Sequence, residues 1–454
     1  MNRHQFVALL LIGFGFACTP KEEKVVSSEL KNSLKIANWL ELSLMVDSLS
    51  YEIWPDKIGD STVTLSYSGG VAGKVAFYLE LYNQTGYQEH LNEALRGADY
   101  ILGHLPDQSD SLKNKLWAFS AYGSVCGAGY ILTEVYKQTS DQKYKAGALE
   151  IFDIVQSHAI ESIDSVSWDS FNDVLGGLSG TGLYLLYTAK NHDLADARAL
   201  AIKAGKTLLS RAIETDSTLN WTLSYDRQFI LPNFSHGASG MGFFLARLFE
   251  DTQDSTFYKA SLKVNTYLES IAKIDNGVFM LPYGVPNDDW ERPFDVSWAH
   301  GVSGTVRFYQ QLYKITGDEN WSERVDQCYA GMIAGMHIDV DTTVYGSKPF
   351  PLDYRFGLVG AANFSMYHYQ VTKNQEALEM AEKLNQRMLV GAQNDSTSLY
   401  WISHNYGFMS VEDDPIYTGI FYGAAGYGLS LLKLNAIKSG VEYNARFVDD
   451  PYLN

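Results

Sequence analysis

Two kinds of helical stretch alternate along the chain. One kind is apolar on nearly every face: VAFYLELY (75–82), YILTEVY (130–136), LYLLYTA (183–189), FFLARLF (243–249), VRFYQQLY (306–313), FSMYHYQV (364–371) and LSLLKL (429–434). A helix without a polar face belongs in an interior. The other kind keeps a polar face, at 87–105, 144–159, 199–213, 258–272, 321–336 and 377–392. Such helices sit outside with one face wet. Strict alternation of the two predicts an all-α chain folded as an α/α toroid of seven helical hairpins. Residues 31–55 supply a further outer helix that closes the ring against the last unit.

A short glycine element precedes each apolar helix: Gly70-VA-Gly73, the variant Ser124-VC-Gly127, Gly177-LS-Gly180, Gly237-AS-Gly240, Gly301-VS-Gly304, Gly357-LV-Gly360 and Gly423-AA-Gly426. Their first positions are 54, 53, 60, 64, 56 and 66 residues apart, the period of a repeat architecture built from hairpins. Glycine at these places lets backbones turn sharply and approach closely. If the inner helices run parallel, their N-termini surround one opening. That opening is expected to be an electropositive rim with free N–H groups, suited to an anionic or polarised ligand.

The residues just ahead of each first glycine then line the pocket. They include Asn172-Asp173, Ser235-His236, Asp295, Trp298 and His300, Asp353-Tyr354-Arg355-Phe356, and Asp413-Asp414 with Tyr417 and Tyr422. Asp173 and His236 are the candidates for acid–base work, with Arg355 and His300 behind them. Trp298, Asp295, Asp353, Tyr354 and Tyr422 are expected to line the pocket. Each also has a plainer use: Asp173 as a helix cap, His236 as a donor to a neighbouring loop, His300 as a packed core histidine.

Composition narrows the partners. A net charge of −18 over 454 residues and a pI near 4.9 argue against nucleic acid and anionic membrane surfaces. The N-terminus carries Arg3, an apolar run from Gln5 to Phe16, and then Ala17-Cys18. That run is too short to span a bilayer and resembles a bacterial lipoprotein signal, with Cys18 as the lipidated residue. The expected organisation is a signal at 1–18, a polar tether at 19–32 and the toroid at 33–454. The protein is then exported and lipid-anchored at the outer or cell-surface membrane of a bacterium. Cys126 and Cys328 could pair, though nothing in the sequence requires it.

The seven glycine elements, together with Asp173-VLGG-LSG, Ser235-His236-Gly237 and Trp298-x-His300-Gly301, resemble the lanthionine synthetase C-like family over roughly residues 60–435. Members of that family add a cysteine thiol to a dehydrated serine or threonine of a peptide. The resemblance implies an α/α toroid and a zinc ion held by a Trp-Cys-x-Gly and a Cys-His-Gly element. Here those ligand positions carry Ala299, Arg355 and Phe356. None offers a thiolate or imidazole, so no zinc is expected. Cys126, His236 and His300 are the remaining candidates for a substitute metal site. Asp173 and His236 match the family's positions for proton transfer. The resemblance points to a protein that binds or modifies a peptide in the toroid mouth without zinc-dependent cyclisation. The alternative is a carbohydrate-active enzyme of glycosidase, lyase or epimerase type, acting on an oligosaccharide with Asp173, Asp295, Asp353 and Asp414 as carboxylates. A surface-tethered scaffold is a third reading. Oligomeric state is left open.

Overall fold

The structure is a computed structural model. It describes residues 26–106, 112, 118–224, 227–286, 294–336, 344–345, 348–349, 351–403 and 415–452. Seven inner helices carry the apolar segments: α2 (Val71–Thr85), α4 (Ser124–Thr139), α6 (Leu178–His192), α8 (Ala238–Thr252), α10 (Val302–Thr316), α12 (Leu358–Thr372) and α14 (Ala424–Ser439). Seven amphipathic helices flank them: α1 (Ser28–Leu42), α3 (Gln88–Gly103), α5 (Gln142–Ser157), α7 (Ala195–Ser210), α9 (Ser255–Ile271), α11 (Glu319–Met336) and α13 (Gln375–Val390). Each inner helix packs on the inner helices to either side, and α14 returns to α2, so the ring closes. The expected α/α toroid is present. Its seventh hairpin is circularly permuted, because the outer partner of α14 is α1 at the other end of the chain.

Helix α1 starts at Ser28, capped by the Ser27 hydroxyl, which accepts from Leu30 N–H. Residues 28–32, assigned to the tether from their polarity, therefore belong to the ring: Glu29 pairs with Lys438 of α14 at 2.7 Å. Cys18 and the rest of the leader lie outside the described residues. Among those described, no helix is long and apolar enough to cross a membrane.

Short antiparallel hairpins join outer to inner helices, among them Ile160–Glu161 with Val166–Ser167 and Ile213–Glu214 with Leu219–Asn220. A tryptophan follows three of them. Trp168, Trp221 and Trp401 donate their indole N–H to Val155, Leu208 and Met388, in each case thirteen residues back. These bonds pin the chain to the outer helix it has just left and set the direction in which it enters the ring.

The glycines are explained by contact rather than by unusual torsion. Gly177 has φ −132°, an extended value open to any residue. A Cβ there would lie 2.6 Å from the Phe171 carbonyl oxygen, and one on Gly180 would lie 2.0 Å from that of Val174. In both cases the intruding carbonyl is six residues upstream, on the incoming loop, and the other glycine elements repeat the arrangement. Helix and loop are thus in van der Waals contact along the entry.

The centre of the ring is filled by the chain's own C-terminus. Beyond Gly440 the backbone folds back between the inner helices, burying Phe447, Val448 and Asp449. Phe447 packs against Tyr67, Tyr122 and Tyr354.

Candidate functional site

The entry loops of all seven units meet at one end of the ring, where a run of backbone hydrogen bonds joins them. Leu175 N–H donates to the Ser235 carbonyl, Ser235 N–H to Ala299 and Ala299 N–H to Arg355. Tyr354 N–H continues to Phe421, Ile420 and Phe421 to Ser68, and Ser68 to Tyr122. Positions spread over 300 residues are thereby placed side by side.

The expectation of free N–H groups at this rim fails. Leu178, Ser179 and Gly180 N–H donate to the carbonyls of Phe171, Asn172 and Asp173, and α8, α12 and α14 begin in the same way. The loop that passes close enough to exclude a Cβ also occupies the orphan donors of the helix start. At those four helix starts an anion site would have to be built from side chains.

Depth is set by position relative to the first glycine. Residues three before it point into the ring: Trp298, fully buried, touches the rings of Tyr122, Phe234, Tyr354 and Phe421. Its indole N–H donates to Asp449 at 3.1 Å, and the Tyr354 hydroxyl accepts from Arg307 at 2.9 Å. Trp298 and Tyr354, expected to line the pocket, are core residues. In four units the residue one before the glycine carries a ring, and these four form an outer layer. His236 faces His300 at 5.7 Å, His300 stacks on Phe356 at 5.7 Å and 10°, and Phe356 meets Tyr422 at 6.2 Å. Tyr422 thus stands in the outer layer with His300 and Phe356. Tyr283, which lies outside the glycine elements and was missed, covers His300 at 4.5 Å.

Three of the four candidate catalytic residues join in one chain of hydrogen bonds. His236 Nδ1 lies 2.7 Å from Asp173 Oδ2, and Arg355 Nη2 lies 3.2 Å from His236 Nε2. Arg355 Nη1 donates to the Tyr422 hydroxyl at 2.6 Å, and its guanidinium lies 4.7 Å over the Phe356 ring. A guanidinium only donates, so Nε2 carries the lone pair and the imidazole proton sits on Nδ1, facing Asp173. Asp173 is fully buried, with its other oxygen accepting Gly176 N–H at 2.6 Å. It is at once a loop clamp and the partner of His236. Arg355 has no ion pair among the described residues, and its Nε is buried without a hydrogen bond. Burial raises the Tyr422 hydroxyl above its ordinary pKa, against the opposing charge of Arg355.

The remaining carboxylates are tied down. Asp295 accepts from Ser297 N–H and Asp353 from Phe356 N–H, and both are buried. Burial raises Asp353 to about 6. Asp413 and Asp414 lie outside the described residues.

The family's zinc ligands map to Ala299, Arg355 and Phe356, which the Ala299–Arg355 backbone bond brings to one corner. A methyl, a guanidinium and a phenyl ring do not fit a zinc ion, which needs thiolate or imidazole donors. Cys126 donates its thiol to the Phe119 carbonyl, as the Ser179 hydroxyl does to Asn172 in the next unit, and burial raises its pKa well above the ordinary range. Among the described residues, no group of three His, Cys, Asp or Glu could hold a metal. Cys126 and Cys328 are both buried and unpaired to one another.

A family model for "Lanthionine synthetase C-like protein" matches residues 61–341. No curated protein matches the chain. Nisin cyclase is similar in structure, with a TM-score of 0.61 at 15% identity over 90% of this chain and 93% of that one. The Lin0763 protein of Listeria innocua gives 0.50 at 12% identity, over 92% and 99%. An unsaturated glucuronyl hydrolase specific for heparin gives 0.46 at 11% identity, over 92% and 98%. At such identities the likeness is one of fold.

Proposed function

The chain belongs to the lanthionine synthetase C-like family, and on that premise we propose that its mouth binds a peptide through charge and acid–base groups rather than through a zinc-bound thiolate. The Asp173–His236–Arg355 chain carries the reading. Arg355 sets a fixed positive charge at the corner where the family holds its metal. An acidic group of an extended peptide is the complementary ligand for a guanidinium that has no carboxylate partner among the described residues. When such a group draws Arg355 away, the Nε2 lone pair of His236 is uncovered while Asp173 keeps the proton on Nδ1. The imidazole is then oriented to accept a proton from a hydroxyl or thiol of the same peptide. His300, Phe356 and Tyr422 supply an aromatic wall beside it.

The carbohydrate-active reading needs two carboxylates free to face a sugar, whereas Asp173, Asp295 and Asp353 are bonded to N–H groups of their own loops. Cys18 is proposed to hold the protein at a bacterial membrane surface, so that the peptide is met outside the cytoplasm. Loss of fatty-acid labelling in Cys18→Ser tests that location.

The function is tested on purified protein by metal analysis, by selection from a peptide library and by turnover of an oligosaccharide panel. The expected result is no stoichiometric zinc, enrichment of acidic peptides, and affinity reduced about tenfold in Arg355→Met, as for a lost charge-assisted bond. Stoichiometric zinc, or oligosaccharide turnover without peptide binding, overturns the proposal.

A further inference from the structure

Inside the ring, the C-terminal segment crosses between the middle turns of α10, α12 and α14. It closes a cavity of about 30 Å³ whose lining includes Arg307, Gln310, Tyr367, Lys433, Arg446 and Asp450. That is room for one or two water-sized occupants. Lys433 is 7% exposed and has no ion pair among the described residues. Its ammonium donates to the neutral Asn363 side chain at 3.0 Å and lies 5.8 Å over the Tyr443 ring. Burial lowers it to about 8. Gln310, 4% exposed, leaves Nε2 without a hydrogen bond, and the Tyr367 hydroxyl is likewise unbonded. Arg307 is engaged with Asp449 at 3.0 Å and Arg446 with the Tyr452 carbonyl at 2.6 Å.

A buried ammonium without an ion pair among the described residues and two unbonded polar atoms around one small cavity are each costly. Their excess is of donors and of positive charge: with Arg307 paired to Asp449, Lys433 and Arg446 line the space against the carboxylate of Asp450. Water accepts two hydrogen bonds but adds no charge. We infer that this cavity is a binding site for a small monovalent anion of chloride size, held by Lys433, Gln310 and Tyr367. Such an ion would pin the C-terminal segment to α10, α12 and α14 and join the tail to the ring. The site is independent of the mouth and of what the mouth binds.

Thermal unfolding of the full chain in sodium chloride and in sodium gluconate at equal ionic strength tests it. Melting temperature is expected to rise with chloride concentration and not with gluconate, and bromide-soaked crystals are expected to show an anomalous peak in the cavity. Lys433→Met should weaken the apparent chloride affinity about tenfold or more, as for a lost buried counter-charge. Tyr367→Phe removes only a hydroxyl and should weaken it to a smaller extent. Identical melting in the two salts overturns the proposal in favour of a water-filled cavity. A chloride effect kept in both variants overturns it in favour of binding elsewhere.

Discussion

Asp173 has two tasks at once, and its amide counterpart separates them. In Asp173→Asn the side-chain oxygen could still accept Gly176 N–H, but the NH₂ group would face His236 Nδ1 as a donor. The imidazole would then carry its proton on Nε2, against the Arg355 donor. Asp173→Asn is expected to exchange the protonated and unprotonated imidazole nitrogens of His236, read by 15N shifts in histidine-labelled protein, and to weaken peptide binding. An unchanged tautomer would remove the basis for treating the three residues as one unit. Arg355→Lys tests the fork, because one ammonium cannot hold the geometry by which Arg355 reaches both His236 and Tyr422. Legibility at this scale was uneven for a physical reason. Asp173, His236, Arg355 and Tyr422 were visible because polar residues recur ahead of the glycines. Trp298 and Tyr354 occupy the same stretch and looked equivalent, yet three positions before the glycine the backbone turns side chains inward. Nothing in residue type announces that turn.

The inner helices end with a left-handed residue: Gly86, Gly317 and Gly440 at three of them, but Ser140, Asp193, Gln253 and Lys373 at the others. Side chains with a Cβ are disfavoured there. Gln253→Gly and Lys373→Gly are therefore each expected to stabilise the fold by about 1 kcal/mol in chemical denaturation, the usual scale of that penalty. A loss of stability would mean that the side chains repay their strain. At the other helix end the sign reverses. Gly304→Ala would place a methyl 1.9 Å from the Trp298 carbonyl and should cost several kcal/mol, as overpacking against backbone does. The fourteen helices were readable because apolar period and polar face are carried by 15 or more residues each. The connecting hairpins were not, since strands of two to four residues are too short to show an alternating pattern. Their anchors, Trp168, Trp221 and Trp401, look like ordinary core residues in the sequence. The occupied N–H groups of the rim escaped notice because they depend on carbonyls seven residues upstream, which is a tertiary contact.

At the scale of the molecule, both chain ends complete the ring. Helix α1 closes the circumference, and the tail fills the centre through Asp449, whose carboxylate joins Trp298 and Arg307 beneath the mouth. The tail is also held by Glu80 of α2, fully buried, whose Oε2 accepts the N–H groups of Asn444 and Ala445 while Oε1 accepts from Gln84. Burial nonetheless raises Glu80 from 4.5 to about 7, the three donors only partly opposing it. Between those values the folded chain keeps a proton that the unfolded chain has released. Stability contributed by the protonated group is therefore full below pH 4.5 and declines as pH rises to 7, by something on the order of 3 kcal/mol. Asp169 and Asp353, raised by burial to about 7 and about 6, add slope of the same sign. Lys74 and Lys433, lowered from 10.5 to about 8, act in a separate window: their cost is full below about 8 and is relieved as pH rises from 8 to 10.5. Only the difference between wild type and a Glu80 variant isolates the tail anchor. Glu80→Gln imitates the protonated carboxyl in shape and hydrogen bonding, so the two proteins should be nearly equal in urea at pH 5. At pH 8 the variant should be the more stable, because it has no charge to bury. A difference that stays constant from pH 5 to pH 8 would mean that Glu80 is ionised throughout, its three donors outweighing desolvation.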